Sequence, residues 1–211
     1  KHMVITGEYI NSDVSTSADA VVVGSGAGGA TAAHLLSEAG FEVIVIEEGG
    51  YYTSKDFNGR ISEMMGILYR DAGLMPIFGK PNIAFAEGCC VGGSTVINGA
   101  LCWRTPESVL NRWSSQYGLP LLDKTYMNGV FSRIENDLSI SVQNDKYANR
   151  ISQKLMDGCD QLNWNYELVP RSQINCQNAN RCPTGCPNDA KQSMLVTYLP
   201  KSVEKGAKIY S

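Results

Sequence analysis

The sequence predicts an α/β fold built on a parallel sheet, and three features near its N-terminus predict it. A short β-branched run, Asp19-Ala20-Val21-Val22-Val23, stops at glycine. The turn Gly24-Ser25-Gly26-Ala27-Gly28-Gly29 comes next and opens a helical pattern. A second apolar run, Phe41 to Ile46, then ends on the acid Glu47. Runs of this kind read as strands buried on both faces, which is the habit of parallel sheets.

Composition sets the outer bounds. The chain has 211 residues, a hydrophobic content of 43% and only 18% charged residues. That is ample apolar surface to offset chain entropy, so disorder is excluded. With 18 Lys+Arg against 21 Asp+Glu the net charge is -3, and no basic stripe offers itself to nucleic acid. No apolar run approaches the roughly 18 residues of a membrane-spanning helix. Seven cysteines cannot all pair within one chain, which favours a reducing compartment. The expected location is cytoplasmic, or periplasmic if a leader has been removed. Lys1-His2-Met3 looks like an expression remnant and residues 1–18 read as a lead-in without recognisable chemistry.

Each part of the first motif has a physical task in a dinucleotide site. Gly24, Gly26 and Gly29 keep the Gly-x-Gly-x-x-Gly spacing. In that pattern the first glycine makes the tight turn, the second admits a pyrophosphate to the backbone, and the third packs helix on strand. The helix from Ala30 to Ala39 presents free N–H groups and a positive dipole end to phosphates, and Gly40 is placed to end it. Glu47, about 20 residues beyond the turn, stands where a ribose hydroxyl is recognised. A second carboxylate, Glu48, and no Arg nearby in sequence argue against a 2′-phosphate. The strand, turn, helix, strand and acid in this order predict a Rossmann-like domain over residues 19–120.

Beyond it, Asp56 to Tyr69 fits a helix with Ile61, Met64, Met65 and Leu68 on one face, a core pattern. Gly79 to Asn82 is a turn. The next segment, Glu87-Gly88-Cys89-Cys90-Val91-Gly92-Gly93-Ser94-Thr95-Val96-Ile97-Asn98-Gly99-Ala100, pairs glycines with hydroxyls. Such a backbone can turn its N–H groups toward an anionic or heteroaromatic ligand. Taken alone it fits a structural hairpin equally well.

Together the two glycine segments resemble the glucose–methanol–choline (GMC) oxidoreductase family, in which a Gly-Gly-Ser-Ser/Thr-x-x-Asn-Gly stretch lies along FAD. The run Cys102-Trp103-Arg104-Thr105-Pro106 and the later stretch from Ala190 to Pro200 are also similar to that family. The resemblance covers Asp19 to the end. It implies that Gly24, Gly26, Gly29 and Glu47 hold the ADP half of FAD. Gly88, Gly93, Ser94, Asn98, Gly99 and Leu101 are then implied to line the riboflavin half. Some relatives attach FAD through a histidine where this chain has Ile97, so the cofactor is expected to be non-covalent. The implied activity is oxidation of a CH–OH group of an alcohol, sterol or sugar by hydride transfer to flavin N5. The family's catalytic His-His or His-Asn pair lies near the C-terminus, and neither His2 nor His34 matches it. No catalytic residue is therefore assigned in this chain. A C-terminal half, as a second chain or a missing segment, is expected to supply the base and the rest of the substrate domain.

The remainder reads as helices and one loop. Thr105-Pro106-Glu107 has the form of a helix start with a hydroxyl cap and Pro at the first helical position. Asp123 begins a second helix with Tyr126, Val130 and Ile134 on one stripe. Ala148, Ile151, Leu155, Cys159 and Leu162 mark a third, with Cys159 expected in the core. Residues 121–175 are assigned to the substrate or cap region, and 176–211 to a Cys-containing loop that returns to the first domain. In that loop Cys176, Cys182 and Cys186 sit among Pro183 and Pro187. Packing thiols, a disulfide, an iron–sulfur cluster and zinc all compete for them. The cluster-bearing branch of the family has adjacent cysteines where this chain has Cys176-Gln177, which tilts the reading away from a cluster. Cys89 and Cys90 read as packing residues. A strand from Ala207 to Tyr210 ends the chain and is expected to lack neighbours. An electron-transfer module and a non-catalytic nucleotide-binding subunit are the two alternatives to the oxidoreductase.

Overall fold

The computed structural model describes residues 4–142 and 148–211. His2 and the start of the lead-in lie outside the described residues. Two compact units share the chain, one of residues 1–100 and 175–211, the other of residues 101–174. The boundaries read from the sequence were 120/121 and 175/176.

The first unit is built on a parallel sheet in the order β1-β8-β3-β2. Its strands are β1 (Val4–Ile5), β2 (Ala20–Val23), β3 (Val43–Ile46) and, at the far end of the chain, β8 (Lys208–Tyr210). Helix α1 (Ala27–Glu38) connects β2 to β3, and α7 (Tyr198–Glu204) leads into β8 and packs on α1. Val22 pairs with Val45, and Val45 with Ile209. With Ala30, Ala33 and Leu199 these build the core, since Val45, Ile209 and the two alanines are fully buried. Gly40 ends α1 in the left-handed region, as its position implied.

Two expectations about the ends of the chain are corrected here. The final strand is not bare: β8 lies between β3 and β1. Val4 and Ile5 pair with Ile209 and Tyr210, so the lead-in supplies a strand. The bonds Gly7 N–H to Ser211 O and Ser211 N–H to Ile5 O extend that ladder. Such a partner is invisible to local pattern because its sequence separation is almost the whole chain. The exposed apolar surface lies on β2 instead. Val21 and Val23, on the face opposite α1, are 57% and 83% exposed.

Between β3 and the second glycine segment stand α2 (Ile61–Leu68) and a hairpin of β4 (Met75–Ile77) and β5 (Ile83–Phe85). Helix α2 starts later than periodicity implied, because the Asp56 carboxylate accepts from the Thr53 N–H and hydroxyl and makes a turn. Met64 and Leu68 are buried as expected, but Ile61 is exposed. The turn at 79–82 is present, with the Asn82 side chain accepting from Gly79 N–H.

The second unit carries α4 (Glu107–Gln116), α5 (Lys124–Asp137), α6 (Arg150–Gln161) and the antiparallel pair β6 (Ile140–Val142) and β7 (Pro170–Ser172). Asp123 caps α5 through Tyr126 N–H, and Asn149 caps α6 through Ser152 N–H. Thr105 does not cap α4: Pro106 occupies that position with no side-chain bond. Arg104 grips Glu135 of α5 with Nε and Nη2 at 2.7 and 2.6 Å, which holds that carboxyl below the usual range. Cys159 is not a core residue. It is half-buried, and its neighbours on the α6 stripe, Ile151 and Leu155, are 80% and 69% exposed. Periodicity shows that a helix has an apolar face, not what covers it.

Ile209 sits at the centre of the sheet and is fully buried. Ile209→Ala is expected to lower the stability of the fold by about 2–5 kcal/mol in denaturant titration, from lost burial plus a cavity. A loss below about 1 kcal/mol would show that β8 is not a core strand.

Candidate functional site

The site lies at the carboxyl ends of the parallel strands, where open α/β sheets bind ligands. Gly24 N–H donates to Ile46 O at 2.7 Å and Glu47 N–H to Tyr210 O at 2.8 Å, so both leave the sheet at the same edge. Helix α1 begins there with Gly26 as its cap residue and no side-chain cap. Its first N–H groups thus keep their capacity for an anion. A Cβ at Gly24 or Gly28 would meet nothing within 4 Å, so the turn faces open space. At Gly29 the opposite holds: a Cβ would lie 1.9 Å from Gly24 O and 3.2 Å from Val22. Gly29 therefore packs helix on strand, as its place in the motif implied.

Glu47 does more than close a strand. Its Oε2 accepts from the Ser25 N–H at 2.8 Å and the Ser25 hydroxyl at 2.6 Å, and its Oε1 accepts from Gly49 N–H at 2.9 Å. The Ser25 hydroxyl in turn accepts from Gly92 N–H at 2.9 Å. Ser25 is wholly buried. It links the first glycine turn, the end of β3 and the second glycine segment. Sequence reasoning missed it because it occupies a variable place in the motif. A hydroxyl between two glycines before a helix was the available signal.

The second segment is not a hairpin. It turns at Gly92 and Gly93 into the short helix α3 (Ser94–Ile97). Gly93 has φ 54°, and a Cβ on it would lie 2.8 Å from Gly26 Cα. Only glycine satisfies both demands, so the two glycine motifs touch backbone to backbone. Gly88 N–H donates to Ser94 Oγ at 2.9 Å, and a Gly88 Cβ would lie 2.6 Å from the Gly93 carbonyl. Ser94 and Asn98 are exposed and Gly99 is half-buried. The Asn98 Oδ1 accepts from Ala100 N–H at 3.0 Å. Leu101 begins the second unit, half-exposed and bridged to Arg171.

Charge around Glu47 differs from the sequence reading in one respect. An arginine is present: Arg70 folds back onto Glu48 and Glu87. It holds the Glu48 carboxyl below its usual range, first by hydrogen bonding and then by its charge. Two carboxylates thus engage this guanidinium, and the expectation that no arginine stands near this end of the site is corrected.

The cysteines separate by environment. Cys90 is 1% exposed, and burial, then the Glu47 charge, pushes its thiol up to about 12. Cys176, Cys182 and Cys186 line one small cavity of about 20 Å³, room for about one water molecule. None of the three is joined in a disulfide. Among the described residues no three His, Cys, Asp or Glu side chains are arranged to hold a metal ion. His34 is buried and stacked on Tyr198 at 4.6 Å between ring centroids.

A family model described as GMC oxidoreductase matches residues 65–211. The chain belongs to the GMC oxidoreductase family. An NAD(P)-binding Rossmann-like domain model matches residues 22–66, the part that carries the first glycine turn and Glu47. An uncharacterized GMC-type oxidoreductase of Sinorhizobium fredii is 39% identical over 96% of this chain and 40% of its own length. One from Mycobacterium tuberculosis is 35% identical over 93% of this chain and 31% of its own. A long-chain-alcohol oxidase of Arabidopsis thaliana is 33% identical over 90% and 25%. This GMC chain thus spans less than half the length of the curated relatives it matches. Among the described residues no helix is long and apolar enough to cross a membrane.

Three outcomes test this geometry. Ser25→Ala strands the Gly92 N–H and should cost about 1–3 kcal/mol in chemical denaturation, against within about 0.5 for Thr31→Ala, whose hydroxyl bonds only its own helix. Equal costs would remove Ser25 from its linking role. In the folded protein at pH 8, iodoacetamide should label Cys176, Cys182 and Cys186 while Cys90 stays unmodified, because a thiol raised to about 12 is protonated there and out of reach. The same upward shift makes the native state lose stability as pH rises above the ordinary thiol value of 9.0 toward about 12.

Proposed function

We propose that this chain is the FAD-binding, N-terminal part of a flavin-dependent oxidoreductase that oxidises a CH–OH group. The observation that carries the reading is the junction of the two glycine motifs. An uncapped α1 N-terminus and a turn facing open space are locked against Gly93 through Glu47, Ser25 and Gly92. An extended dinucleotide needs both halves of such a cradle. One motif holds phosphates, and the other continues along the cofactor.

By this reading the N–H groups at Ala27 and Gly28 bind the pyrophosphate. Glu47 accepts a ribose hydroxyl. Its Oε1 takes a single protein donor and has acceptor capacity left. Gly88, Gly93, Ser94, Asn98 and Gly99 line the riboflavin half. Ile97 offers no ring nitrogen for attachment, so the FAD is held without a covalent bond. When bound, the flavin supplies the hydride acceptor. The residues here bind and orient it, and the base that takes the hydroxyl proton comes from outside this chain. The Arabidopsis relatives named as long-chain-alcohol oxidases support an alcohol as substrate.

Purification of the full-length protein, denaturation and mass analysis of the released nucleotide test this directly. FAD is the expected release; NAD, or no nucleotide from folded protein, would overturn the reading. Glu47→Ala in the same protein should weaken FAD binding by about 1–3 kcal/mol, the cost of losing a charged hydrogen-bond partner.

A further inference from the structure

The loop from Asn175 to Lys191 ends in an unusual side chain. Lys191 is only 4% exposed, in the company of backbone rather than water. A buried ammonium is costly unless its protons are accepted. Here Nζ donates to Asn98 O at 2.9 Å, to Cys182 O at 2.8 Å and to Val96 O. Two of these carbonyls belong to the end of α3, a single turn whose oxygens have few helical partners.

The turn that Lys191 grips is itself under constraint. Ala100 has φ 60°, a left-handed conformation that costs a residue with a side chain of its own. Asn98 is held from two directions. Its side chain accepts Ala100 N–H, and its carbonyl accepts a Lys191 proton. Its side chain remains exposed. Within 94–100 the turn is held by the Asn98 side chain on Ala100 N–H and by Asn98 N–H on Ser94 O. A second hold comes from the Lys191 ammonium, 95 and 93 residues along the chain from the two α3 carbonyls it meets.

We infer that Lys191 is a positioning residue for the cofactor: its buried ammonium fixes the Val96–Ala100 turn in the shape that the flavin half of FAD meets. The inference rests on the FAD reading above. Lys191 touches backbone, not the ligand, and acts through Asn98 and its neighbours. It has a second consequence, since a fixed positive charge behind the turn favours electron density on a bound flavin and raises its midpoint potential.

The test uses the full-length protein with Lys191→Met and Lys191→Arg. Circular dichroism establishes folding. FAD affinity is measured by titrating apoprotein, and the visible flavin spectrum and midpoint potential are recorded on loaded protein. Folded Lys191→Met should bind FAD at least about tenfold more weakly, as expected when a buried charged donor is removed, with an altered flavin band and a lower potential. Lys191→Arg keeps the charge but cannot aim three protons from one nitrogen. It should recover the potential more fully than the affinity. Wild-type affinity, spectrum and potential in a folded variant would overturn the inference. So would failure of both variants to fold, which would make the role purely structural. If the wild-type protein itself binds no FAD, the functional reading has failed first, and that arm is read before the variants.

Discussion

The site depends on one buried hydrogen-bond relay, from the Glu47 carboxylate through the Ser25 hydroxyl to the Gly92 amide. A carboxylate in a buried position is tolerated only when its oxygens are satisfied. Here they take the Ser25 and Gly49 amides together with the hydroxyl. The demand runs both ways. The charge needs these donors, and so the turn at 24–26 and the backbone at 49 are pinned to the end of β3. Gly92 is then drawn to the same hydroxyl, which brings a distant segment to the sheet edge. Without that link the two glycine motifs would be separate loops.

Absence of side chains completes what the relay begins. Gly26 and Gly93 meet at a distance that a Cβ on Gly93 would prevent. Gly49 likewise lies where a Cβ would fall 2.2 Å from the Cys89 backbone. These contacts lay two stretches of main chain side by side along one edge. Electrostatics then grade the edge. Glu47, Glu48 and Glu87 with Arg70 make one end net acidic. At the other end Lys191 sets a positive charge beneath the α3 terminus.

A parallel sheet is most stable with both faces covered. In the first unit one face carries α1 while Val21 and Val23 on the other are exposed. In the second unit α6 presents Ile151 and Leu155 in the same way. The chain spans 25–40% of the length of its curated relatives. Burial is incomplete on both of these surfaces.

By itself the sequence determined the local grammar. The runs at 20–23 and 43–46, the glycine turn, α1 and the Asp123 cap of α5 were legible because each is set by periodicity, capping chemistry or a glycine's missing Cβ within a few residues. The packing role of Gly29 could be assigned for the same reason. Only the tertiary structure decided the rest, and in each case the cause is a partner far along the chain. Val4–Ile5 became a strand because β8 offered an edge. Cys159 stayed out of the core because, among the described residues, the α6 stripe at Ile151 and Leu155 is left exposed. Ser25 and Lys191 gained their importance from a hydroxyl and an ammonium that reach distant backbone groups. Such bonds satisfy buried polar groups across the fold, and local pattern carries no trace of them.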